Sequence, residues 1–393
     1  MKFFSNIKKD VSFSAIISGL LAVLISYAGP LVIIFQAGEV AHLPVNIMSS
    51  WIWAISIASG LLGFILSYTY RTPIITAWST PGAALLVMGL VTTNINEAIG
   101  VYVIVGLLTL AIGLSGLFDR FVDIIPKGVS SALLAGILLN FGIGTFHSLQ
   151  SNFSLVATMI VVYLVFKKIK PRYCITMVLI VGLCISIFMG ITDFREFSLS
   201  LVKPVFIAPE FTLHSFISLG VPLLLVSLTG QFMPGMAVLR TSGFSIKSSP
   251  IICLSGIFST IFSIYGSHGV NIAAITAAIC TGEESNTDPQ KRYIAGMASG
   301  IFYIIFGLFS STIALLFTSL PHEFIATLAG LALIGAILNG LVGLVSDIDN
   351  REASLITFLT TASGITLLGL GSAFWGLVFG FVAYFILKEK VKK

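Results

Sequence analysis

Long apolar stretches separated by short polar turns run through most of the 393-residue chain. A helix that crosses a bilayer needs about 20 mostly apolar residues, and the lengths of these stretches predict fourteen crossing segments. The pattern therefore predicts an all-α polytopic membrane protein. We number the segments 1 to 14 and place them at residues 12–35, 45–69, 74–92, 98–118, 128–146, 153–167, 173–191, 214–238, 248–264, 267–281, 293–317, 323–345, 353–369 and 372–388.

Composition agrees with this prediction and excludes other classes of protein. The chain is 56% hydrophobic and only 9% charged, whereas soluble domains are about a quarter charged. Its net charge of +5 comes from basic residues at segment ends, so we expect a lipid bilayer and no nucleic acid as partner. The four cysteines lack metal-type spacing, which is typical of buried apolar residues. We expect neither a metal nor a cofactor.

The distribution of basic residues predicts the orientation in the membrane. If the N-terminus is inside and the segments alternate, Arg195 and Lys203 are the only two of the 21 lysine and arginine residues that fall outside. Inside loops of membrane proteins are enriched in these residues, so we expect both termini in the cytoplasm. Lys2, Lys8 and Lys9 precede the first segment, which is expected to be retained as a spanning helix.

Fourteen segments divide into two sets of seven. Because seven is odd, a second set would enter the membrane upside down, which is the inverted-repeat plan of many transporters. We expect a first repeat at 1–191, an external connector at 192–213 and a second repeat at 214–393. A weak internal similarity supports this division, since the third segment of each set is interrupted, at WSTPGAALL (78–86) and YGSHGVNIAAI (265–275).

Segment 3 is predicted to be a short strand followed by a half-helix. Pro73 disfavours helix immediately before it, and Ile74–Trp78 has good strand propensity. Ser79 or Thr80 suits the helix N-cap, and Pro81 suits the first turn. Extended backbone at membrane depth must be buried in protein or face a water-filled cavity.

Segment 10 repeats this organisation. We predict extended backbone at Ser263–Tyr265, a break at 266–269 and a half-helix at Asn271–Ala278. Two opposed half-helix N-termini near the midplane would offer free N–H groups and partial positive charge to a small anion. The N–H groups expected at this site belong to Thr80–Gly82 and Ser267–Gly269. The alternative is that both breaks are kinks that serve helix packing.

Two polar side chains in apolar surroundings are candidates for function. His268 lies within the second break, so it is either a proton carrier or a donor to a bound carboxylate. The alternative is a neutral imidazole satisfied by the backbone. Gln231 in segment 8 needs a partner, and it either contacts substrate or bonds to a neighbouring helix.

Aromatic residues complete the candidate site. Trp78 and Tyr27 could stack on an aromatic ligand or pack within the protein, whereas Trp51 and Trp53 fit a membrane-interface belt. We find no catalytic grouping of a nucleophile and a base, so we expect no enzyme activity. The expected substrate-binding residues are Ser79, Thr80, Pro81, Gly82, Gln231, Ser267, His268, Gly269, Asn271, Tyr27 and Trp78.

These interrupted segments carry a resemblance to a known family. With TPIITAWSTPGAAL (72–85), they make the chain resemble the benzoate:proton symporters of bacterial inner membranes. That family is similar to nucleobase permeases and sulfate-type anion transporters. The resemblance implies a core domain of segments 1–4 and 8–11, a gate domain of segments 5–7 and 12–14, and movement of one against the other.

The chain departs from the nucleobase permeases at the positions that bind the base. Those proteins carry carboxylates where this chain has Gln231, Ser267 and His268, and the absence of acidic groups favours an organic anion. We therefore expect a secondary active transporter that imports benzoate with protons, with His268 coupling the proton. Another small anion, a nucleobase or a passive anion channel are the alternatives. The sequence leaves open whether the chain forms a homodimer.

Overall fold

The structure is a computed structural model, and it describes most of the chain. Residues 193–197 of the predicted connector lie outside the described residues, as do Lys2, Lys8 and the lysines that follow residue 387. The described residues are 9–118, 120, 125–192 and 198–387.

The first seven segments contain eight helices and one short strand. Segment 1 is divided between two helices at Gly29, and segment 3 is the predicted strand followed by a short helix. In chain order the elements are α1 (Phe13–Ala28), α2 (Pro30–Val40), α3 (Val45–Tyr70), β1 (Thr76–Trp78), α4 (Thr80–Gly89), α5 (Ile95–Ser115), α6 (Lys127–Ser151), α7 (Phe153–Ile169) and α8 (Cys174–Phe188).

The second seven segments follow the same plan. Segment 8 is one long helix with two π-helical stretches, at Phe216–Gly220 and Leu228–Phe232. The elements are α9 (Leu213–Thr241), α10 (Ser248–Ser263), β2 (Val270–Ile272), α11 (Ile275–Thr281), α12 (Tyr293–Leu308), α13 (Ser310–Thr318), α14 (His322–Ser346), α15 (Arg351–Ala362) and α16 (Ser372–Leu387).

Each predicted segment therefore contains at least one element. Within the described ranges, six helices are long and apolar enough to span a membrane by themselves, counting α1 and α2 as one. Segment 11 is a pair of helices, Pro289–Leu308 and Ser310–Thr318, bent by 67°. Four further apolar helices, α4, α8, α10 and α16, are shorter. The polytopic helical fold is confirmed.

Side-chain caps explain where several helices begin. The side-chain oxygen of Asn94 accepts the backbone N–H of Glu97 at 2.9 Å, at the start of α5. Asn152 accepts the N–H of Leu155 at 3.3 Å, at the start of α7. Such caps satisfy N–H groups that have no partner within the helix, so the short polar turns of the sequence also fix the helix ends.

Helix packing shows that the two halves of the chain are arranged in equivalent ways. The most extensive contacts join α6 to α14, α5 to α10 and α3 to α12, which are segment pairs 5–12, 4–9 and 2–11. Exchanging the two halves converts pair 4–9 into pair 11–2 and leaves pair 5–12 unchanged. At Gly60 and Gly300 a Cβ atom on either residue would lie 2.6 Å from the other's carbonyl oxygen, so glycine permits this close helix approach.

The predicted boundaries within segment 10 are wrong. Ser263 ends α10 and is followed by a turn, the strand comes later at Val270–Ile272, and the half-helix begins at Ile275 rather than Asn271. The reason is tertiary, because β2 pairs with β1. This partner holds residues 270–272 in extended form where local sequence also permits helix.

The described part of the connector is bound to the ends of several segments. The Ile207 N–H donates to the Ile264 carbonyl at 2.8 Å, just after α10. Ser50 in α3 accepts the Val205 N–H at 2.9 Å and donates to the Tyr265 carbonyl at 3.1 Å. The connector therefore links α3 to the turn that precedes β2.

Candidate functional site

The two short strands meet inside the protein and form an antiparallel sheet. Both strands are buried along their whole length, as membrane depth requires of non-helical backbone. Because the strands are antiparallel, α4 leaves one end of the sheet and α11 leaves the other. The half-helix N-termini therefore flank the sheet from opposite ends. The register pairs Thr76 with Ile272, Ala77 with Asn271 and Trp78 with Val270.

The start of α4 is almost fully satisfied by its own residues. Ser79 is the N-cap, since its hydroxyl oxygen accepts the Gly82 N–H at 2.9 Å. Its carbonyl accepts the Ala83 N–H at 2.8 Å. Pro81 has no N–H to offer. Among the first three residues of α4, Thr80 is thus the one whose N–H needs a partner from elsewhere.

Gln231 supplies that partner. It is 9% exposed and lies on the π-helical stretch of α9. Its amide oxygen accepts the Thr80 N–H at 3.0 Å while its nitrogen donates to the Gly230 carbonyl at 3.3 Å. The opposite amide orientation would make one 3.4 Å contact with the Trp78 carbonyl and set two donors against each other. Hydrogen bonding therefore decides for the first orientation.

This contact matches the alternative in which Gln231 bonds to a neighbouring helix. The amide bonds to the neighbouring segment, and its oxygen takes the position that α4 offers to an acceptor. A neutral group thus covers the N-terminus of α4, where a helix favours negative charge.

His268 joins α3 to the start of α4. The Trp51 indole N–H donates to His268 Nδ1 at 3.3 Å, and His268 Nε2 lies 3.2 Å from the Ser79 carbonyl. Because a carbonyl only accepts, Nε2 must carry the proton, and because Trp51 only donates, Nδ1 must be unprotonated. The imidazole, 1% exposed, is therefore neutral in this arrangement.

Two glycines set the path of the chain around His268. Gly266 and Gly269 have φ values of 109° and 134°, which other residues rarely adopt. A Cβ on Gly266 would lie 3.0 Å from the Trp51 backbone, so glycine also permits the close approach to α3. Ser267 uses its N–H within the preceding turn, on the Phe262 carbonyl at 3.2 Å.

The expected second set of helix N–H groups is therefore not at Ser267–Gly269. These residues precede β2, whereas the half-helix begins at Ile275 without a side-chain cap. Asn271 lies in the strand opposite Ala77. The structure brings Ser267–Gly269 beside Ser79 through the sheet rather than through a helix N-terminus.

The interface-belt prediction for Trp51 is wrong. Its side chain is 1% exposed and bonds to His268. Trp53 is partly exposed and packs against Phe262 and Tyr265, with ring centroids 5.7 and 5.4 Å away. Residues two apart in a helix point in nearly opposite directions, so this spacing could have shown that both tryptophans do not face lipid together.

Aromatic side chains enclose the other side of β1. Trp78 makes edge-to-face contacts with Tyr27 and Tyr303, with ring centroids 5.7 and 5.9 Å away. Tyr27 shares a 2.5 Å hydrogen bond with Ser56, and Tyr303 donates to Ser26 at 2.7 Å. Sequence reasoning missed Tyr303, since a tyrosine within an apolar helix is not distinctive by itself.

Several buried polar atoms near the sheet lack a hydrogen-bond partner. They include Trp78 Nε1, Asn271 Nδ2, Ser267 Oγ and Tyr102 Oη. The side chains described in contact at this site carry no lysine, arginine, aspartate or glutamate. Among the described residues, no group of three or more His, Cys, Asp or Glu side chains could hold a metal ion. The site is polar, uncharged and incompletely satisfied.

A cavity of about 460 Å³ lies beside the C-terminal part of α4, at the end of the helix away from Thr80. It lies between α4 and α9 on one side and α6 and α14 on the other, and it reaches Leu85. Gln36, Asn140 and His322 are among its polar lining residues. Its volume is in the usual range for small-molecule sites.

Comparison with known proteins identifies the family of this chain. The family described as benzoate membrane transport protein matches residues 9–386. The benzoate membrane transport protein of Acinetobacter baylyi is 44% identical over 97% of both chains. Inner membrane protein YdcO of Escherichia coli is 42% identical over 95% of both.

A solved structure shows the same fold. The transmembrane domain of the cyanobacterial bicarbonate transporter BicA aligns with a TM-score of 0.59 at 16% identity, covering 94% of this chain and 96% of that one. The inverted-repeat architecture is therefore shared with a known transporter. From the match along residues 9–386 and the two relatives above 40% identity, the chain belongs to the benzoate membrane transport protein family, a family of membrane transporters rather than enzymes.

Proposed function

We propose that this protein imports an aromatic carboxylate, benzoate in the first instance, together with protons across the bacterial inner membrane. One observation carries the proposal: the Thr80 N–H at the buried start of α4 is covered by the neutral amide oxygen of Gln231. The family and its Acinetobacter baylyi member support benzoate as the substrate. The absence of acidic groups from the described contacts at the site supports an anion.

In this proposal the substrate carboxylate replaces the amide oxygen of Gln231 at the Thr80 N–H. A hydrogen bond to a charged group contributes about 1.5–3 kcal/mol, against about 0.5–1.5 kcal/mol for a neutral one, so the exchange favours the anion. The unpaired Trp78 Nε1 is a candidate second donor. Trp78 and Tyr27 would then flank the aromatic ring, while Ser79, Pro81 and Gly82 shape the start of α4.

The absence of charged side chains from the described contacts at the site supports proton coupling. An isolated anion buried at low dielectric is costly unless a positive charge accompanies it. His268 is the ionisable side chain that contacts the start of α4, through the Ser79 carbonyl. If His268 takes up a proton when the carboxylate binds, the site remains neutral overall. We propose that this mutual stabilisation couples the proton to the substrate.

The proposed cycle moves one group of helices against the other. Segments 1–4 and 8–11 would carry the site as a core domain, and segments 5–7 and 12–14 would form the gate domain. The cavity between α4 and α6 lies along this boundary. With both termini in the cytoplasm, as the basic residues predict, this cavity opens to the outside and receives the substrate.

The test is uptake of labelled benzoate into proteoliposomes with an imposed pH gradient, acidic outside. We expect concentrative uptake that a protonophore abolishes. The His268→Gln variant is expected to bind and exchange benzoate more weakly, because the compensating charge is missing, and to lose gradient-driven accumulation. His147→Gln is a matched control, since His147 is exposed at the end of α6.

Each alternative predicts a different result. A passive anion channel would dissipate a benzoate gradient and never concentrate the label. A transporter of another small anion or of a nucleobase would show competition by that compound and not by substituted benzoates. A His268→Gln variant that still concentrates benzoate with unchanged pH dependence would remove the coupling role from His268.

A further inference from the structure

Trp51 belongs to none of the groups that contact the proposed substrate, yet its side chain bonds directly to His268. Its indole N–H donates to Nδ1 at 3.3 Å, and the ring centroids of the two side chains lie 5.9 Å apart in an edge-to-face arrangement. Both side chains are buried, at 1% exposure each. Gly266, which packs against the Trp51 backbone, holds the two segments close together.

We infer that Trp51 is a positioning residue for proton coupling: its N–H reserves the Nδ1 lone pair of His268, so the imidazole takes up a proton only when this bond opens. The inference rests on the proposed function, in which His268 carries the coupled proton. Protonated His268 has donors at both nitrogens. The Nε2–H bond to the Ser79 carbonyl survives protonation, whereas the Trp51 bond does not, because two N–H groups would face each other.

Among the described neighbours of the imidazole, Trp51 is the one that bonds to Nδ1. The Ser79 carbonyl faces Nε2 from the start of α4, and Tyr102 faces the ring from α5 with centroids 6.3 Å apart. Of these described neighbours the Tyr102 phenol is the one titratable group, and none carries a charge when the phenol is protonated. Breaking the Trp51 bond is therefore the step that frees Nδ1 for a proton.

The state of His268 can be measured without transport. We suggest ¹⁵N spectra of the purified protein labelled at histidine, with the His268 signals assigned by their loss in His268→Gln. The wild type is expected to show neutral His268 with its proton on Nε2. In Trp51→Phe, which keeps an aromatic ring but has no N–H, His268 is expected to become protonated about one pH unit higher. Trp53→Phe in the same helix is the matched control.

Transport supplies the second readout. In proteoliposomes, Trp51→Phe is expected to exchange labelled for unlabelled benzoate within about twofold of wild type, since Trp51 does not touch the proposed substrate. The pH optimum of gradient-driven uptake is expected to move upward by about one unit. In a His268→Gln background, Trp51→Phe should cause no further change in benzoate exchange or in the pH dependence of uptake. The reason is that a residue that acts through another is not additive with it.

Three results would overturn the inference. They are a wild-type spectrum with the proton on Nδ1, a Trp51→Phe titration that coincides with Trp53→Phe, and an added effect of Trp51→Phe in the His268→Gln background. If Trp51→Phe does not fold, benzothienylalanine at position 51 replaces the indole N–H by sulfur at nearly constant shape. If the wild type transports no benzoate, the proposed function fails, whereas the spectra still decide the role of Trp51.

Discussion

Replacing Gln231 by methionine tests whether its amide oxygen occupies the position of the substrate carboxylate. Methionine is unbranched and of similar length, so it fills the space without offering an acceptor of comparable strength. On the proposed function, a carboxylate that enters the wild type first breaks the 3.0 Å hydrogen bond between Thr80 and Gln231. Removing that competing bond saves about 1 kcal/mol, which corresponds to about fivefold tighter benzoate binding.

The same change affects the empty protein in the opposite direction. Without Gln231 the buried Thr80 N–H loses its partner, which costs about 1–3 kcal/mol. We therefore expect a lower thermal stability in the absence of ligand and a larger stabilisation by benzoate than in the wild type. Gln150→Met, at an exposed position near the end of α6, controls for the substitution itself.

Titration calorimetry and thermal unfolding with and without benzoate would measure both effects. Gln231→Glu provides an opposite perturbation, since a fixed carboxylate beside Thr80 would compete with the substrate and repel it. Benzoate binding to Gln231→Met that is tenfold weaker than wild type would refute the reasoning, because it would show that the amide is a ligand of the substrate rather than its stand-in.

Two further substitutions test the cavity as a substrate route and the packing of α9 against β2. Gly144 lines the cavity with open space beside it, so Gly144→Trp should reduce benzoate uptake at least about tenfold while changing the free energy of unfolding by less than about 1 kcal/mol. Gly335→Trp, also in open space, is the control. Equal uptake by both variants would contradict the cavity as the substrate route. A Cβ on Gly235 would lie 2.4 Å from the Ile272 side chain in β2, so Gly235→Ala should cost about 1–3 kcal/mol in unfolding free energy, against no measurable loss for Gly335→Ala.

Local sequence signals were sufficient for segment 3. Pro73 and the run from Ile74 to Trp78 predicted the extended stretch, and Ser79 with Pro81 predicted the helix start that the structure has at Thr80. These signals act within a few residues through backbone sterics and capping. Segment 10 lacks such a cap, so its strand and helix boundaries were misplaced.

The contacts inside the protein could not be predicted from the sequence. The sequence leaves two alternatives open for Gln231, whereas the structure shows that its amide, on a π-helical stretch of α9, bonds to Thr80. The sequence predicts a role for His268 without its partners, and it places Trp51 at the membrane interface. Each of these contacts joins residues far apart in the chain, so no local pattern contains it.

The sequence by itself determined the membrane class, the fourteen segments and the two interrupted segments, because apolar length and turn chemistry act locally along the chain. Only the tertiary structure decided that β1 and β2 pair, that α4 offers the Thr80 N–H to Gln231, and that Trp51 donates to Nδ1 of His268. The reason is that unsatisfied polar groups inside a membrane protein must find partners wherever the packed helices bring them.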